Sequence, residues 1–242
     1  MHSEDVSYEA DGRNMVGYLV FDDAQAGPRP GVIVAHEGPG LGQHAKDIAE
    51  RLAALGYVAF ALDYNGGGTP LPLDEVTERL GELSADPDRI GRLGLAALDT
   101  FLAQGLTDPG RVAAIGYCYG GVVALELART GADLRAAVGF HPGYLPPRPG
   151  SSKNIRASVL MFSGTEDPFA TPEQRLGFED DMRDGQVADW RLELYGGVAH
   201  SFTNPEADQA GLPGLGYDAL ADQRSWQSML QLFEEVLSKR AG

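Results

Sequence analysis

The chain of 242 residues contains few cysteines, few basic residues and no long apolar stretch. Cys118 is its one cysteine, which excludes an intramolecular disulfide and any metal site built from several thiolates. The 19 Lys and Arg against 35 Asp and Glu give a formal charge of −16, which repels nucleic acid and anionic membranes. The charge-free stretch around Cys118, residues 112–125, is 14 residues long, whereas a membrane-spanning helix needs ~18. We therefore predict a soluble protein without nucleic-acid or membrane partners.

The composition that remains is typical of a globular protein. Apolar residues make up 43% of the chain and charged residues 22%, which favours a sizeable packed core. Residues 1–5 are polar and acidic and lack the basic start and apolar run of a secretory signal, so we expect a cytoplasmic protein, where a free thiol is stable. We find no repeat, low-complexity tract or linker, and we predict a single domain over residues 1–242, as a monomer or homodimer.

Short apolar segments of strand length alternate with longer segments of helical periodicity. This alternation predicts an α/β protein in which parallel strands are joined by crossover helices on both faces of one sheet. Two alternating segments at residues 6–10 and 15–21 flank a short polar turn and predict an antiparallel hairpin at the sheet edge. The other predicted strands are 32–35, 58–62, 111–115, 136–140, 157–162 and 190–195, and the predicted helices are 43–55, 88–104, 120–129, 172–183 and 217–239. The last helix is expected to place one set of apolar residues on one face: Leu220, Trp226, Leu230, Phe233 and Val236.

The segment Gly116-Tyr117-Cys118-Tyr119-Gly120-Gly121 lies between a predicted strand and a predicted helix. Its Gly-x-nucleophile-x-Gly spacing is typical of a sharp, strained turn, where side chains at the flanking positions would collide with neighbouring backbone. The positive end of the helix favours a thiolate at Cys118. We interpret Cys118 as a nucleophile, and the alternative is a buried structural cysteine.

Two further residues follow predicted strands at the edge of the sheet where ligands bind in such folds. Asp167 can orient a histidine, although an Asp before Pro168 is also an ordinary turn signal. His200 stands where a general base is needed, although a lone histidine is more often a surface or core residue. The order Cys118, Asp167, His200 is the nucleophile, acid, histidine order of the α/β-hydrolase scaffold.

The loop Ala35-His36-Glu37-Gly38-Pro39-Gly40 follows another predicted strand. It lies where that scaffold supplies one amide of an oxyanion hole, so we predict the amides of Gly38 and Tyr119 as the two donors. A carboxylate at Glu37 would repel a thiolate or share its proton, and it could hold Cys118 neutral until substrate arrives.

Three more residues are candidates for the walls of the substrate pocket: Tyr64, His141 and Phe169. For His141 the alternative is a solvated loop histidine, and for the two aromatic residues it is ordinary core packing.

Four motifs, His36-Glu37, residues 116–121, residues 164–168 and His200-Ser201-Phe202, together resemble the dienelactone hydrolase family over residues 16–237. The resemblance implies an α/β-hydrolase fold, a catalytic triad of Cys118, His200 and Asp167, and hydrolysis of a carboxylic ester or lactone through a thioester acyl-enzyme. It implies that Glu37 receives the thiol proton when substrate displaces it. It implies no metal and no organic cofactor.

The chain departs from the family pattern where dienelactone hydrolases hold the substrate carboxylate. The arginine that follows the family's catalytic histidine by four residues is Asn204 here, and Arg79 is the one candidate for a second family arginine. Loss of a charged partner for a carboxylate usually costs about 1.5–3 kcal/mol. We therefore predict that neutral esters or lactones are better substrates than carboxylate-bearing ones.

Two other function classes use the same residues. A thiol redox sensor would use a reactive Cys118, but it usually needs a resolving thiol, which this chain lacks. A catalytically silent binding protein would keep the pocket and lose the triad, and the intact order of the three residues disfavours that alternative.

Overall fold

The computed structural model describes residues 1–238, and within them eight strands form one sheet with six helices packed on it. The strands are β1 (His2–Ala10), β2 (Arg13–Phe21), β3 (Arg29–Ala35), β4 (Val58–Leu62), β5 (Thr107–Tyr117), β6 (Ala136–Phe140), β7 (Ser158–Gly164) and β8 (Trp190–Tyr195). The helices are α1 (Gln43–Ala54), α2 (Leu73–Ala85), α3 (Pro87–Ala103), α4 (Tyr119–Arg129), α5 (Pro172–Asp184) and α6 (Ala219–Leu237).

The strand order is β1-β2-β4-β3-β5-β6-β7-β8, and the pairings from β4 through β8 are parallel. Strands β1 and β2 form the predicted antiparallel edge hairpin, and β2 also pairs antiparallel with β4. Asp11 and Gly12 close the hairpin with φ of 54° and 68°. Positive φ at both residues is what a two-residue turn needs in order to match the twist of the strands. The predicted fold class is confirmed.

Helices cover both faces of the sheet because the central strands are apolar on both sides. Along β3, Val32 and Val34 pack in the cluster formed with α1 and α6, whereas Ile33 packs in the cluster formed with α3 and α4. This is the pattern expected for parallel strands buried on both faces, each joined to the next by a crossover helix.

Several boundaries differ from the sequence predictions. Helix α2 was not predicted. Its buried face carries Arg79 between Val76 and Leu83, which weakens the apolar periodicity, and its interior holds Gly81, which lowers the helix propensity. Strand β5 begins at 107 rather than 111, because Thr107 pairs with β3 ahead of a register shift.

The last helix also differs from its prediction. Leu220, which was expected on its apolar face, is 53% exposed, because it lies in the first turn of α6, whereas Trp226 and Phe233 are buried. Lys239, the predicted end of this helix, lies outside the described residues.

The parallel strands place their carboxyl ends at one edge of the sheet. The loops after β3, β5, β6, β7 and β8 therefore meet there, and they carry Glu37, Cys118, His141, Asp167 and His200.

Candidate active site

Cys118 lies at the turn between β5 and α4 in a strained backbone conformation. Its φ of 53° and ψ of −121° are outside the regions that non-glycine residues favour, at a cost of about 1–3 kcal/mol. A Cβ on Gly116 would overlap the carbonyl of Gly120, and a Cβ on Gly120 would overlap the carbonyls of Ala35 and His36. The glycine spacing in the sequence therefore corresponds to two close backbone approaches that fix the turn.

His141 supports this turn from beneath. The Cys118 amide donates to the Phe140 carbonyl at 3.0 Å and lies 3.2 Å from Nδ1 of His141, which accepts from it. Burial, with the neighbouring His200 and His44, lowers the pKa of His141 well below its usual value, so the ring is neutral. Because Nδ1 accepts, Nε2 carries the proton and donates to Oγ1 of Thr203 at 2.8 Å. His141 is 0% exposed, which rules out a solvated loop histidine.

His200 and Asp167 are brought together by the loops after β8 and β7. Nδ1 of His200 lies 2.8 Å from Oδ2 of Asp167, and both side chains are buried. The other carboxylate oxygen of Asp167 accepts from the Phe169 amide at 2.8 Å, which fixes the carboxylate. The His200 backbone is held in turn by hydrogen bonds to Gly214 and from Gly216.

Two neighbouring groups, the Asp167 carboxylate and the Cys118 thiol, act on the pKa of His200. Burial alone would lower the pKa of His200, but hydrogen bonds to Asp167 and to Cys118, together with their charges, raise it to about 10. The imidazole of His200 therefore keeps a proton at neutral pH.

The loop after β3 is fixed at its carbonyl groups. The Glu37 carbonyl accepts from the Tyr64 hydroxyl at 3.0 Å, from the Gly40 amide at 3.1 Å and from Nδ1 of His36 at 2.6 Å. The Gly38 carbonyl accepts from Nδ2 of Asn65 at 3.0 Å.

The two amides predicted as oxyanion-hole donors make no hydrogen bond within residues 1–238. One is in this loop, at Gly38, and the other is in the adjacent turn, at Tyr119, the first residue of α4. The arrangement leaves two N–H groups available next to the thiol loop.

Tyr64 and Phe169 differ in their exposure to solvent. Tyr64 is 0% exposed, its ring is stacked on His36 at 3.9 Å, and it supports the loop after β3 rather than lining an open pocket. Phe169 is 52% exposed, and its ring lies edge-on to His200 at 4.9 Å between ring centroids. Of these two aromatic candidates, Phe169 alone is exposed for contact with a ligand.

Arg79 is buried in α2. It is 4% exposed, its Nη2 donates to the Tyr64 carbonyl at 2.7 Å, and its Nη1 lies 3.5 Å from Oε2 of Glu82. The guanidinium attaches α2 to the loop after β4, but its Nε and Nη1 have no hydrogen-bond partner within residues 1–238, so contact of Arg79 with a substrate stays a prediction.

The Glu37 carboxylate has partners that the sequence analysis did not foresee. Nδ2 of Asn204 lies 3.4 Å and 3.5 Å from its two oxygens, and Nδ1 of His44 lies 3.6 Å from Oε1. No hydrogen bond joins this carboxylate to Cys118 in the described part of the chain. The one available signal for His44 was its place at the start of the helix that follows the Glu37 loop.

Residues 1–238 contain no cluster of three or more His, Cys, Asp or Glu side chains that could hold a metal ion. No described helix has both the length and the apolar character needed to cross a bilayer.

A mostly parallel sheet with a nucleophile-type turn after β5, a carboxylate after β7 and a histidine after β8 defines an α/β-hydrolase. Residues 15–237 match the model of the dienelactone hydrolase family, and the chain belongs to that family. A relative, protein usf of Aquifex pyrophilus, is 27% identical over 241 residues, covering 96% of this chain and 98% of the relative.

Two solved structures are similar over nearly the whole chain. One is a dienelactone hydrolase-like promiscuous phosphotriesterase from metagenomic libraries, with 41% identity, a TM-score of 0.93, and coverage of 97% of this chain and 98% of the other. The second, named m3DLH, has 43% identity, a TM-score of 0.94, and coverage of 98% and 99%. These similarities agree with the resemblance drawn from the four sequence motifs.

Proposed function

We propose that this hydrolase cleaves carboxylic esters or lactones with a triad of Cys118, His200 and Asp167. The Cys118 thiolate attacks the carbonyl carbon, and the amides of Gly38 and Tyr119 stabilise the oxyanion. The His200 imidazolium then gives its proton to the leaving oxygen, and a thioester remains on Cys118. Water attacks the thioester with His200 as general base, and the acid product and free thiol are released.

One observation carries this proposal: Nδ1 of the buried His200 lies 2.8 Å from the Asp167 carboxylate, at the edge of the sheet where the turn with Cys118 also lies. The raised pKa of His200 favours a thiolate beside an imidazolium, which combines a nucleophile with a proton donor for the leaving group. Asp167, at 2.8 Å, fixes the ring orientation that this proton transfer requires.

Neutral esters and lactones are the proposed substrate class. Arg79 is buried, with Nη2 bonded to the Tyr64 carbonyl, and the uncharged Asn204 faces the Glu37 carboxylate, so neither of the two positions considered for a carboxylate contact offers an exposed cation. Phe169, exposed beside His200, supplies an apolar surface where the leaving group would lie.

The experiment compares turnover of p-nitrophenyl acetate by the unchanged protein, Cys118→Ala and His200→Ala. Loss of the nucleophile should reduce the rate by at least about a thousandfold, and mass spectrometry of the unchanged protein should detect an acetyl thioester on Cys118. Equal rates for the parent and Cys118→Ala would eliminate the nucleophile assignment. Fast oxidation of Cys118 by dilute peroxide without ester turnover would favour a redox sensor, and tight ester binding without an acyl-enzyme would favour a silent binding protein.

Hydrolysis of neutral phosphotriesters is a second candidate activity. It is favoured by the 41% identity to the promiscuous phosphotriesterase over nearly the full length of both chains. The same thiolate would attack phosphorus, and the same two amides would face the phosphoryl oxygen. Turnover of paraoxon by the parent, with none by Cys118→Ala, would support this activity, and no turnover by the parent would exclude it.

We also propose one domain over residues 1–242 and a cytoplasmic location, with a small-molecule ester or lactone as the partner. The single sheet formed by the described strands supports the first proposal, and the formal charge of −16 disfavours nucleic acid or membrane partners.

A further inference from the structure

The peptide group that joins Glu37 to Gly38 is held through its carbonyl. This oxygen, on Glu37, accepts from the Tyr64 hydroxyl at 3.0 Å, from Nδ1 of His36 at 2.6 Å and from the Gly40 amide at 3.1 Å. The N–H of the same group, on Gly38, has no acceptor within residues 1–238. Because a trans peptide group is planar and its carbonyl and N–H point in opposite directions, the groups that fix the carbonyl also fix the direction of the N–H.

Of these three donors, Tyr64 alone comes from outside the loop. Its side chain is 0% exposed, and its ring is stacked on that of His36, with 3.9 Å between centroids. The hydroxyl also lies 3.1 Å from the His36 carbonyl, so its single proton lies between two carbonyl oxygens of the loop after β3. Burial, together with the charges of Cys118 and Tyr119, raises the pKa of Tyr64 well above its usual value. The hydroxyl therefore keeps its proton and remains a donor at neutral pH.

The next residue in the chain, Asn65, holds the peptide group on the other side of Gly38. Its Nδ2 donates to the Gly38 carbonyl at 3.0 Å, and Asn65 is 1% exposed. The Asn65 amide donates to Oδ1 of Asp63 at 2.9 Å, which fixes the segment that directly follows β4. Two consecutive buried side chains thus hold both peptide groups that flank Gly38.

The loop that contains Gly38 is packed on the turn that carries Cys118. A Cβ on Gly120 would overlap the carbonyls of Ala35 and His36, so the two backbone segments are in direct contact. Hydrogen bonds to a peptide carbonyl polarise the group and strengthen its N–H as a donor. Tyr64 therefore acts on both the direction and the donor strength of the Gly38 amide, whereas Asn65 acts on its direction.

We propose that Tyr64 and Asn65 are positioning residues that direct and strengthen the Gly38 amide as a donor to the oxyanion. The inference rests on the proposed function in that it takes Gly38 as one donor of the oxyanion hole. It assigns to the segment after β4 an effect on the tetrahedral intermediate, exerted through the backbone of the loop after β3.

The first test measures kcat and KM for p-nitrophenyl acetate in the unchanged protein and in Tyr64→Phe, which removes the hydroxyl and keeps the ring. Acylation and deacylation both pass through an oxyanion, so both steps should slow together and leave KM unchanged. We expect kcat to fall about tenfold, which is less than the loss of about a hundredfold or more when a donor itself is removed. Asn65→Ala should lower kcat in the same direction, also without a change in KM.

The second test measures the stability of the oxyanion directly. Trifluoroacetone labelled with carbon-13 at its carbonyl is added to the protein. The Cys118 sulfur bonds to the carbonyl carbon, the carbonyl electron pair moves to oxygen, and the resulting hemithioketal resembles the tetrahedral intermediate. Its carbon-13 chemical shift follows the ionisation of the adduct as the pH is raised. We expect the pKa of the adduct to be about one unit higher in Tyr64→Phe, the equivalent of a tenfold change.

Two controls separate this effect from a loosened site. Alkylation of Cys118 by iodoacetamide needs the thiolate but forms no oxyanion, so its rate should change less than about twofold in Tyr64→Phe. Tyr144→Phe is the matched variant, because Tyr144 is 8% exposed and its hydroxyl lies 2.9 Å from Oγ of Ser163. Loss of this other buried hydroxyl should leave both kcat and the pKa of the adduct unchanged.

An unchanged kcat and an unchanged adduct pKa in Tyr64→Phe would overturn the proposal. An equal loss of alkylation rate, or an equal effect of Tyr144→Phe, would also overturn it, since each would point to loosened packing. Thermal unfolding shows whether each variant is folded, and Asn65→Ala takes the place of Tyr64→Phe in every comparison if the latter does not fold.

Ester turnover and adduct formation distinguish the two proposals. If the adduct forms and its pKa shifts as expected but no ester is hydrolysed, the hydrolase proposal fails and the positioning role stands. If esters are hydrolysed and the adduct forms, but both variants match the unchanged protein, the positioning role fails and the hydrolase proposal stands. If the unchanged protein neither hydrolyses esters nor forms the adduct, both proposals fail.

Discussion

At the scale of single residues, the pKa of His200 depends on both Asp167 and Cys118. Its folded pKa of about 10 is above the ordinary 6.5, and the hydrogen bonds to Asp167 and Cys118 overcome the effect of burial. A raised folded pKa contributes stability that is fully present below pH 6.5 and is lost as the pH rises through about 10. The protonated imidazole is therefore part of the stable folded state at neutral pH.

We predict that Cys118→Ala lowers the pKa of His200 below that of the unchanged protein, because the thiol contact is removed while burial remains. Titration of the imidazole by nitrogen-15 NMR between pH 5 and 11 measures this directly. Resonances from β1, far from the site, should not change between the two proteins. An identical titration curve for His200 in both would show that the thiol and imidazole do not interact.

We predict that Gly120→Ala destabilises the protein by about 1–3 kcal/mol and abolishes ester hydrolysis. The added Cβ would overlap the carbonyls of Ala35 and His36 and push the oxyanion loop from the turn. Urea unfolding and p-nitrophenyl acetate turnover measure the two effects. Gly81→Ala is the control: it lies in α2 with open space around its Cα, and it should stabilise by about 0.5–1 kcal/mol. Wild-type turnover by Gly120→Ala would contradict the close approach.

At the scale of elements, the loop after β4 is organised by one buried carboxylate. Oδ1 of Asp63 accepts from the amides of Asn65 and Gly66, and Oδ2 accepts from the amides of Gly68 and Val16. This loop leads into α2 and holds Tyr64 against the loop of the proposed oxyanion hole. Asp63 thus connects the edge hairpin, the loop after β4 and the site.

We predict that Asp63→Asn costs about 2 kcal/mol at pH 7. Burial raises the pKa of Asp63, but the adjacent His36 ring and hydrogen bonds from the Gly66 and Gly68 amides lower it to about 2, below the ordinary 3.8. A depressed folded pKa gives stability that is present above pH 3.8 and lost as the pH falls through about 2. Urea unfolding from pH 7 to pH 2 should show the difference between the two proteins shrinking in that window.

The control for that measurement is Asp74→Asn, which changes an exposed carboxylate in the first turn of α2. It should change stability by less than about 0.5 kcal/mol at any pH in the range. A cost at Asp63 that persists unchanged at pH 2 would mean that packing, rather than the charge, supplies the stabilisation.

At the scale of the whole molecule, the formal charge of −16 acts on every approaching ligand. Exposed charges of one sign raise or lower the local concentration of a charged substrate, and salt screens the effect over about 10 Å at 0.1 M. The acidic surface and the lack of an exposed cation at positions 79 and 204 both favour neutral substrates.

We predict that p-nitrophenyl butyrate has a higher kcat/KM than p-nitrophenyl hemisuccinate at low ionic strength, and that the ratio decreases as salt is added. The pair differs chiefly in a terminal carboxylate, so the salt dependence isolates the charge effect. Steady-state kinetics between 10 mM and 500 mM NaCl measure it. A preference for the hemisuccinate at all salt concentrations would contradict both the electrostatic argument and the structural reading of Arg79 and Asn204.

Much of the fold could be predicted from local sequence patterns. The predicted bounds of β4, β6 and β8 match the structure, because short apolar segments between polar turns have few alternatives to a buried strand. The turn at Cys118 was also predictable, since the glycine spacing reflects backbone contacts that any side chain would disturb. Helix α2 was not predictable, because its packing depends on a hydrogen bond from Arg79 to the Tyr64 carbonyl, 15 positions earlier in the chain.

The sequence by itself determined the hydrolase family, the strand-helix alternation and the chain order of Cys118, Asp167 and His200. Only the tertiary structure decided which side chains face one another: His44 and Asn204 at Glu37, His141 beneath the Cys118 amide, and Arg79 inside the protein. The physical reason is that secondary structure follows from local pattern and backbone sterics. The partners of a polar side chain are set by loops that the sheet brings together from distant parts of the chain.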